Sequence, residues 1–152
     1  MYQFNARVGV LGHITDDVKY RQHRLLCIRL AGKRMIIVGA VHIAQPLVTL
    51  AQTSGYEVVI VDPRGAFATR DRFPGVTLSE DWPDDALKEI GVDNRTAIVT
   101  LTHDPKLDDP ALHIALRSEA FYVGSLGSKR THAGRVERLK EAGFSDAEIA
   151  QI

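Results

Sequence analysis

Four short, uninterrupted apolar runs constrain the fold of this 152-residue chain more than any other feature. They are RMIIVG (34–39), EVVIVD (57–62), TAIVTL (96–101) and AFYVGS (120–125). Continuous runs of this length are typical of strands that are covered on both faces, as in a parallel sheet. We therefore predict four strands that lie in the interior of the protein.

Segments with a helical spacing of apolar residues lie between and after these runs. We predict helices over 42–54, 84–90, 109–118 and 128–142. Ser145 and Glu148 have the spacing of a capping box, which predicts one more helix start. Alternating strands and helices with right-handed crossovers give a parallel sheet with helices on both faces. The predicted fold class is therefore α/β, a Rossmann-like doubly wound parallel sheet.

The first 33 residues fit this alternation less well than the rest of the chain. The segments ARVGVL (6–11) and RLLCIRL (24–30) are expected to pair as a small antiparallel β extension. We therefore expect an N-terminal extension over 1–33 and a Rossmann-like domain over 34–152.

Composition argues against several classes of function. Lys and Arg number 19, as do Asp and Glu, so no net charge attracts nucleic acid or an anionic membrane. The apolar runs are far too short to span a bilayer, and no signal-peptide pattern is visible. The single cysteine, Cys27, has no partner for an internal disulfide. We therefore expect a cytoplasmic protein.

The first predicted strand runs into GAVHIA (39–44), which nearly matches the dinucleotide-binding fingerprint G-x-G-x-x-G/A. Val41 takes the place of the second glycine, and its side chain stands where a pyrophosphate would approach the backbone. Gly39, Ala40 and His42 remain candidates for an anion cradle, because a helix start offers free N–H groups.

The second strand ends in Asp62, with Arg64 close behind it. Asp62 follows Gly39 by 23 residues, near the spacing of the acidic residue that accepts hydrogen bonds from ribose hydroxyls. Asp62 and Arg64 are therefore candidates to contact polar groups of a ligand.

The third strand ends in THDPKLDDPAL, where His103 and Asp104 are expected to line the crevice beyond the sheet. We expect Asp108 or Asp109 to cap the next helix, with Pro110 in its first turn. Adjacent His and Asp residues without further ligands at suitable spacing are only a weak metal signal.

The fourth strand leads into GSLGSKR (124–130), which opens a helix with glycines, serines and two cations. Backbone N–H groups, hydroxyls and cationic side chains of this kind suit a phosphate or another oxyanion. The candidates for this site are Gly124, Ser125, Gly127, Ser128, Lys129 and Arg130. Further along the helix, we expect Arg135, Arg138 and Lys140 to lie at the surface.

Several blocks of the sequence, in order, resemble the C-terminal Rossmann domain of the XdhC/CoxI family, whose members are accessory proteins of molybdenum hydroxylases. The blocks are VGAVHIAQPL, VDPRGAFATRDRFPG, LTHDPKLDDPAL, FYVGSLGSKRTHAGRVERLKEAGF and SDAEIAQI. The resemblance extends from about Arg34 to Ile152. Longer members have an N-terminal domain with a cysteine-containing block that 1–33 lacks, so we expect a domain fragment or a short member.

The resemblance implies a chaperone rather than an enzyme. Such a protein would bind the molybdenum cofactor (molybdopterin) and help insert it into a hydroxylase such as xanthine dehydrogenase. A cysteine desulfurase is implied as a further partner, and a homodimer as the assembly. Val41 matters less if the ligand is a pterin phosphate. The cofactor-binding residues would be Gly39, Ala40, Val41, His42, Asp62, Arg64, His103, Asp104, Gly124, Ser125, Gly127, Ser128, Lys129 and Arg130.

Two alternatives remain open at the level of sequence. An NAD(P)-dependent oxidoreductase is favoured by Asp62 and disfavoured by Val41. An interaction module with a vestigial nucleotide pocket would bind a partner protein without any small ligand.

Overall fold

The structure, a computed structural model, describes residues 32–152. The predicted β extension lies outside the described residues. The strands are β1 (Arg34–Val38), β2 (Glu57–Val61), β3 (Thr77–Ser79), β4 (Thr96–Thr100) and β5 (Tyr122–Ser125). The helices are α1 (Ala44–Thr53), α2 (Pro83–Ile90), α3 (Pro105–Ala115), α4 (Lys129–Glu141) and α5 (Asp146–Ile149).

The five strands form one parallel sheet in the order β3-β2-β1-β4-β5. This order confirms the predicted Rossmann-like α/β class. β1 lies at the centre, where Ile36 is in register with Val59 of β2 and Ile98 of β4. The direction of winding reverses between β1 and β4, and ligands of open α/β sheets bind beyond the strand ends near such a point.

The two faces of the sheet carry separate apolar clusters, as the continuous strand runs predict. Ile36 of β1 packs in one cluster with Leu112 of α3 and Leu139 of α4. Its neighbour Ile37 packs in the other cluster with Val48 of α1. Successive strand residues point to opposite faces, so a strand covered on both sides needs apolar residues throughout.

β3 was not predicted from the sequence. It has only three residues, which pair with β2 from Val59↔Thr77 to Val61↔Ser79 at the edge of the sheet. Thr77 is exposed and Leu78 is half-buried. The segment therefore lacks the apolar run that marks the interior strands.

The start of α3 corrects a prediction. The helix begins at Pro105, and the side chain of Asp104 caps it by accepting a 2.9 Å hydrogen bond from the Lys106 N–H. The expectation that Asp108 or Asp109 caps this helix was wrong, and Pro110 lies inside it. The sequence contains two Asp-Pro pairs, and the first one starts the helix because its proline takes the N-terminal position, where no N–H is needed.

The last two helices begin where the sequence predicts. Ser128 caps α4, and Ser145 with Glu148 forms the predicted capping box of α5. Among residues 32–152, no helix combines the length and the apolar character needed to cross a membrane.

Candidate functional site

Gly39 directly follows β1 at the centre of the sheet and lies against Thr102, close to the end of β4. Its φ of 108° is in the region that favours glycine, and an added Cβ would lie 2.5 Å from Cγ2 of Thr102. The Gly39 N–H also donates to the Val61 carbonyl at 2.9 Å. Gly39 therefore lets three strand ends meet closely.

Asp62 is fully buried at the end of β2, and its carboxylate is occupied by donors from the chain itself. Oδ2 accepts from the Ala40 N–H and from Nη2 of Arg64, both at 2.8 Å. Oδ1 accepts from the Arg64 N–H at 3.0 Å and from Nε of Arg64 at 2.9 Å. We call Gly39, Ala40, Asp62 and Arg64 the Asp62 cluster.

The Asp62 carboxylate is held in its charged form. Burial alone would raise its pKa, but the hydrogen bonds from Arg64 and from the Ala40 N–H outweigh burial and lower the pKa below its usual range. The Arg64 guanidinium lies over the ring of Phe67, 4.6 Å from its centroid. Ligand contact by Asp62 or Arg64 stays a prediction, since four internal donors already engage the carboxylate.

The start of α1 lies next to this cluster. The described side chains provide no cap for the helix, and its first turn carries no acidic residue. Val41 is half-buried against the apolar cluster that contains Val48, whereas His42 is exposed. Val41 thus has a packing role that explains why a larger residue is present at the fingerprint's second glycine.

A buried carboxylate organises the loop after β4. Asp108, which is 3% exposed, accepts from the Thr102 hydroxyl at 2.7 Å and from the His103 N–H at 3.1 Å. His103 has a φ of 60°, an uncommon conformation for a residue other than glycine. Asp108 therefore holds the exposed His103 in place. Burial raises the pKa of the Asp108 carboxyl, against the hydrogen bonds from Thr102.

Sequence reasoning missed this role of Asp108. Its position three residues into α3 places it on the buried face of that helix, between Leu107 and Ala111. The available signal was the helical spacing of these apolar residues, counted from the earlier Asp-Pro pair. Asp104, predicted to line the crevice, serves as the cap of the same helix.

The hydroxyls predicted to hold phosphate after β5 have partners within the chain. The Ser125 hydroxyl shares a hydrogen bond with that of Thr100 on β4. The Ser128 hydroxyl accepts from the Thr131 N–H at 3.2 Å. An added Cβ at Gly124 would lie 2.7 Å from the Tyr122 hydroxyl, so this glycine makes room for a tyrosine. These contacts account for much of the loop's composition without a ligand.

A cavity of about 240 Å³ lies between the β4–α3 loop and α4. We call it the arginine cavity. It is lined by His103, Pro105, Asp108, Arg130, Thr131, Gly134, Arg135 and Arg138. His103 and Arg130 are the predicted site residues that it brings together. The predicted residues Gly127, Ser128 and Lys129 do not line it.

Arg135 corrects a second expectation, because it is 2% exposed rather than at the surface. Its Nη2 donates to the Leu126 carbonyl at 3.0 Å and its Nη1 to the Ser125 carbonyl at 3.4 Å. Its Nε is buried and has no hydrogen-bond partner among the described residues. Burial lowers the pKa of this guanidinium, while the negative charge of Asp108 opposes that effect.

The position of Arg135 in α4 was a usable signal. Arg135 lies one helical turn before Leu139, and both are buried on the same face of α4. Arg138 is partly buried, and its Nη2 donates to Oδ1 of Asp109 on α3 at 3.1 Å. Lys140 is exposed, as expected.

No cluster of three or more His, Cys, Asp or Glu side chains that could hold a metal ion occurs within residues 32–152. The arginines that line the arginine cavity are of the kind that recognises anions.

Comparison with known proteins identifies the family. Residues 35–152 match the family model of the XdhC Rossmann domain. The chain belongs to the XdhC family.

Relatives of this XdhC domain include two curated bacterial proteins. The chain is 33% identical over 119 residues to the molybdenum cofactor insertion chaperone PaoD of Escherichia coli, covering 78% of this chain and 31% of that protein. It is 32% identical over 107 residues to a probable xanthine dehydrogenase subunit of Bacillus subtilis, covering 70% of this chain and 31% of that protein.

A solved structure confirms the fold of the XdhC domain. A xanthine dehydrogenase from Bacillus halodurans superposes with a TM-score of 0.64 at 31% identity, over 69% of this chain and 33% of that one. The chain thus spans about a third of the length of the relatives it matches.

Proposed function

We propose that this XdhC domain binds the molybdenum cofactor and assists the maturation of xanthine dehydrogenase or a related molybdenum hydroxylase. The observation that carries the proposal is the arginine cavity, located beyond the carboxyl ends of β4 and β5 in a domain whose relative PaoD is named a cofactor insertion chaperone. The role is binding and transfer rather than catalysis.

The residues of the cavity fit the phosphate group of a pterin cofactor. Arg135 has a buried N–H without a partner in the part of the chain that the structure describes, and Arg130 adds an exposed cation at the same cavity. Charged hydrogen bonds between arginine and phosphate are among the stronger ones in proteins. The bound cofactor would supply its molybdenum chemistry to the hydroxylase, while the residues of this chain hold its phosphate group.

The Asp62 cluster argues against a nicotinamide dinucleotide as the ligand. An NAD-dependent enzyme would need the Asp62 carboxylate to accept hydrogen bonds from ribose. Here Ala40 and Arg64 already supply the donors, and Val41 carries a side chain at the position that a pyrophosphate would approach. The occupied carboxylate opposes binding of NAD, and Val41 opposes binding of either nicotinamide dinucleotide.

The alternative of an interaction module makes a different prediction, because it requires partner binding without a small ligand. The cysteine desulfurase, the homodimer and the cytoplasmic location also stay predictions.

A thermal-stability titration tests the proposed function. The chain would be melted with increasing molybdenum cofactor, NAD(H) or NADP(H). A ligand that binds only the folded state adds about 2.7 kcal/mol of stability at a hundredfold excess over its Kd. We expect a shift with molybdenum cofactor alone. A shift with a nicotinamide dinucleotide alone would overturn the proposal, and no shift with any of them would favour the interaction module.

A further inference from the structure

Among residues 32–152, the buried Nε–H of Arg135 has no acceptor. Buried N–H groups are nearly always hydrogen-bonded, so an orphan beside a cavity indicates a missing partner. The rest of the guanidinium is anchored, since its two Nη atoms donate to the carbonyls of Ser125 and Leu126. The arginine cavity, which this side chain lines, is the space beside it that can admit a partner.

The charges around the cavity favour an anion as that partner. Arg138 is neutralised by Asp109 through two hydrogen bonds from one guanidinium to one carboxylate. The Asp108 carboxylate is turned to Thr102 and His103, whose donors occupy both of its oxygens. Counting these groups with Arg130 and Arg135 leaves one positive charge in excess.

The start of α4 itself is a poorer anion site than the sequence indicates. Ser128 caps the helix by accepting from the Thr131 N–H, and an added Cβ at Gly127 would lie 3.1 Å from the Thr131 side chain. The Thr131 N–H at this helix end is thus already paired with Ser128. Arg130 instead lines the arginine cavity, together with Arg135, which lies five residues later in α4.

We propose that the arginine cavity is a binding site for a tetrahedral oxyanion, either a phosphate monoester or free phosphate. The Nε of Arg135 is its inner donor, Arg130 is its outer cation, and His103 lines the same cavity. The inference deepens the proposed function and rests on it in one respect, since the monoester would be the phosphate group of the molybdenum cofactor. It also moves the site away from 124–129 to the side of α4.

The first experiment measures binding of inorganic phosphate and of glycerol 2-phosphate to the full chain by calorimetry at constant ionic strength. Arg130→Gln removes the outer cation, and we expect it to weaken binding about tenfold or more. Arg135→Lys keeps the charge but lacks the Nε–H, and a similar loss is expected. Lys140→Gln, on the same helix but outside the cavity, is the charge-matched control and should bind as the wild type does.

Lys129→Gln separates the two locations for the anion. Lys129 precedes Arg130 but does not line the cavity, so its loss should change affinity by less than about twofold if the cavity is the site. A tenfold loss with Lys129→Gln and none with Arg130→Gln would overturn the proposal in favour of the loop. Because Arg130 is exposed, its variant should fold even if the Arg135 variant does not.

A spectroscopic readout follows Arg135 directly. In a nitrogen-15 NMR spectrum, the Nε–H signal that Arg135→Lys removes should shift as phosphate is added and exchange more slowly with water. An unmoved signal at saturating phosphate would overturn the proposal.

The two phosphate sources give different results. Tighter binding of glycerol 2-phosphate than of inorganic phosphate would assign the site to a monoester, and equal binding would assign it to free phosphate. If phosphate binds with the expected dependence on Arg130 but molybdenum cofactor does not bind, the proposed function fails while the oxyanion site stands. If the cofactor binds and Arg130→Gln has no effect, the site fails while the function stands.

Discussion

The two halves of the sheet's carboxyl edge differ in how their polar groups are satisfied. Beyond β1 and β2, the Asp62 carboxylate receives hydrogen bonds from Ala40 and Arg64, so all of these donors belong to the Asp62 cluster. We call this side of the edge the closed half. Beyond β4 and β5, Arg135 retains a buried N–H without a partner among the described residues, beside a cavity. The described chain thus satisfies the buried carboxylate of the first half but not the buried Arg135 N–H of the second.

The proposed function would mean that a Rossmann-like sheet can change its ligand without changing its topology. Dinucleotide enzymes use the half beyond β1 and β2 for the adenosine ribose and the pyrophosphate. In this chain an arginine two residues after Asp62 satisfies that carboxylate, and Val41 packs into the core. We propose that recognition falls to the other half, where Arg135 has a buried N–H with no partner among residues 32–152 and where positive charge is in excess.

The largest expected effect concerns Gly39, where the two halves meet. Gly39→Ala would place a methyl group 2.5 Å from Cγ2 of Thr102, whose hydroxyl is held by Asp108, in a backbone conformation that disfavours side chains. We expect a loss of about 3 kcal/mol or more in the free energy of unfolding, measured in urea. Gly55→Ala is the control, because its φ of 83° is similar but no atom lies within 4 Å. It should cost about 1 kcal/mol. Equal losses would show that the two strand ends do not pack as closely as described.

Removing the charge of Asp62 should break the closed half. Asp62→Asn replaces the carboxylate with an amide. The amide has only one oxygen, which cannot accept from the Ala40 N–H and from all the donors of Arg64. We expect a loss of about 2–3 kcal/mol, limited because Arg64 is 37% exposed and can reach water. Urea denaturation measures the loss. The exposed pair of Lys140 with Asp146 is the control, and Asp146→Asn should have little effect. A similarly small effect of Asp62→Asn would mean that the cluster is not a source of stability.

The pH dependence of stability should have opposite signs in the two halves. The pKa of Asp62 is lowered on folding, so its contribution is present above pH 3.8 and is lost as the pH falls through the folded-state pKa. The pKa of Asp108 is raised by burial, so folding favours its protonated form. The protein therefore gains stability from Asp108 as the pH falls through the raised pKa towards 3.8.

Unfolding free energies of the wild type, Asp62→Asn and Asp108→Asn at several pH values test these signs. The advantage of the wild type over Asp62→Asn should shrink below pH 3.8. The stability of the wild type relative to Asp108→Asn should increase as the pH falls to that value from above. Parallel curves for the two variants would contradict the difference between the halves.

The elements of this fold are predictable where one residue pattern has one structural meaning. The apolar runs of β1, β2 and β4 identify strands because the requirement for apolar residues on both faces is strict. β3 was missed since a three-residue edge strand with an exposed Thr77 carries no such pattern. The start of α3 was misplaced because 104–105 and 109–110 give the same Asp-Pro signal, and only packing distinguishes them.

The candidate site was harder to predict than the fold because its residues act through contacts between distant segments. Arginines are usually exposed, so Arg135 was expected at the surface. It is buried because the carbonyls of the loop after β5 accept from it, and that loop's position depends on the whole sheet. Ser125 has a similar explanation, since its partner Thr100 is on the neighbouring strand.

The smallest expected effect is a gain of dinucleotide binding in the closed half. Arg64→Ala removes two of the donors that occupy the Asp62 carboxylate, and Val41→Gly restores the fingerprint's second glycine. Together they should raise NADH affinity about tenfold over the wild type, roughly what one charged hydrogen bond contributes. Fluorescence titration of NADH measures this gain, with Val41→Gly alone as the comparison. A full gain from Val41→Gly alone would show that Val41, rather than the occupied Asp62 carboxylate, keeps dinucleotides out. In that case the hydrogen bonds that occupy the Asp62 carboxylate would stabilise the fold without determining which ligand binds.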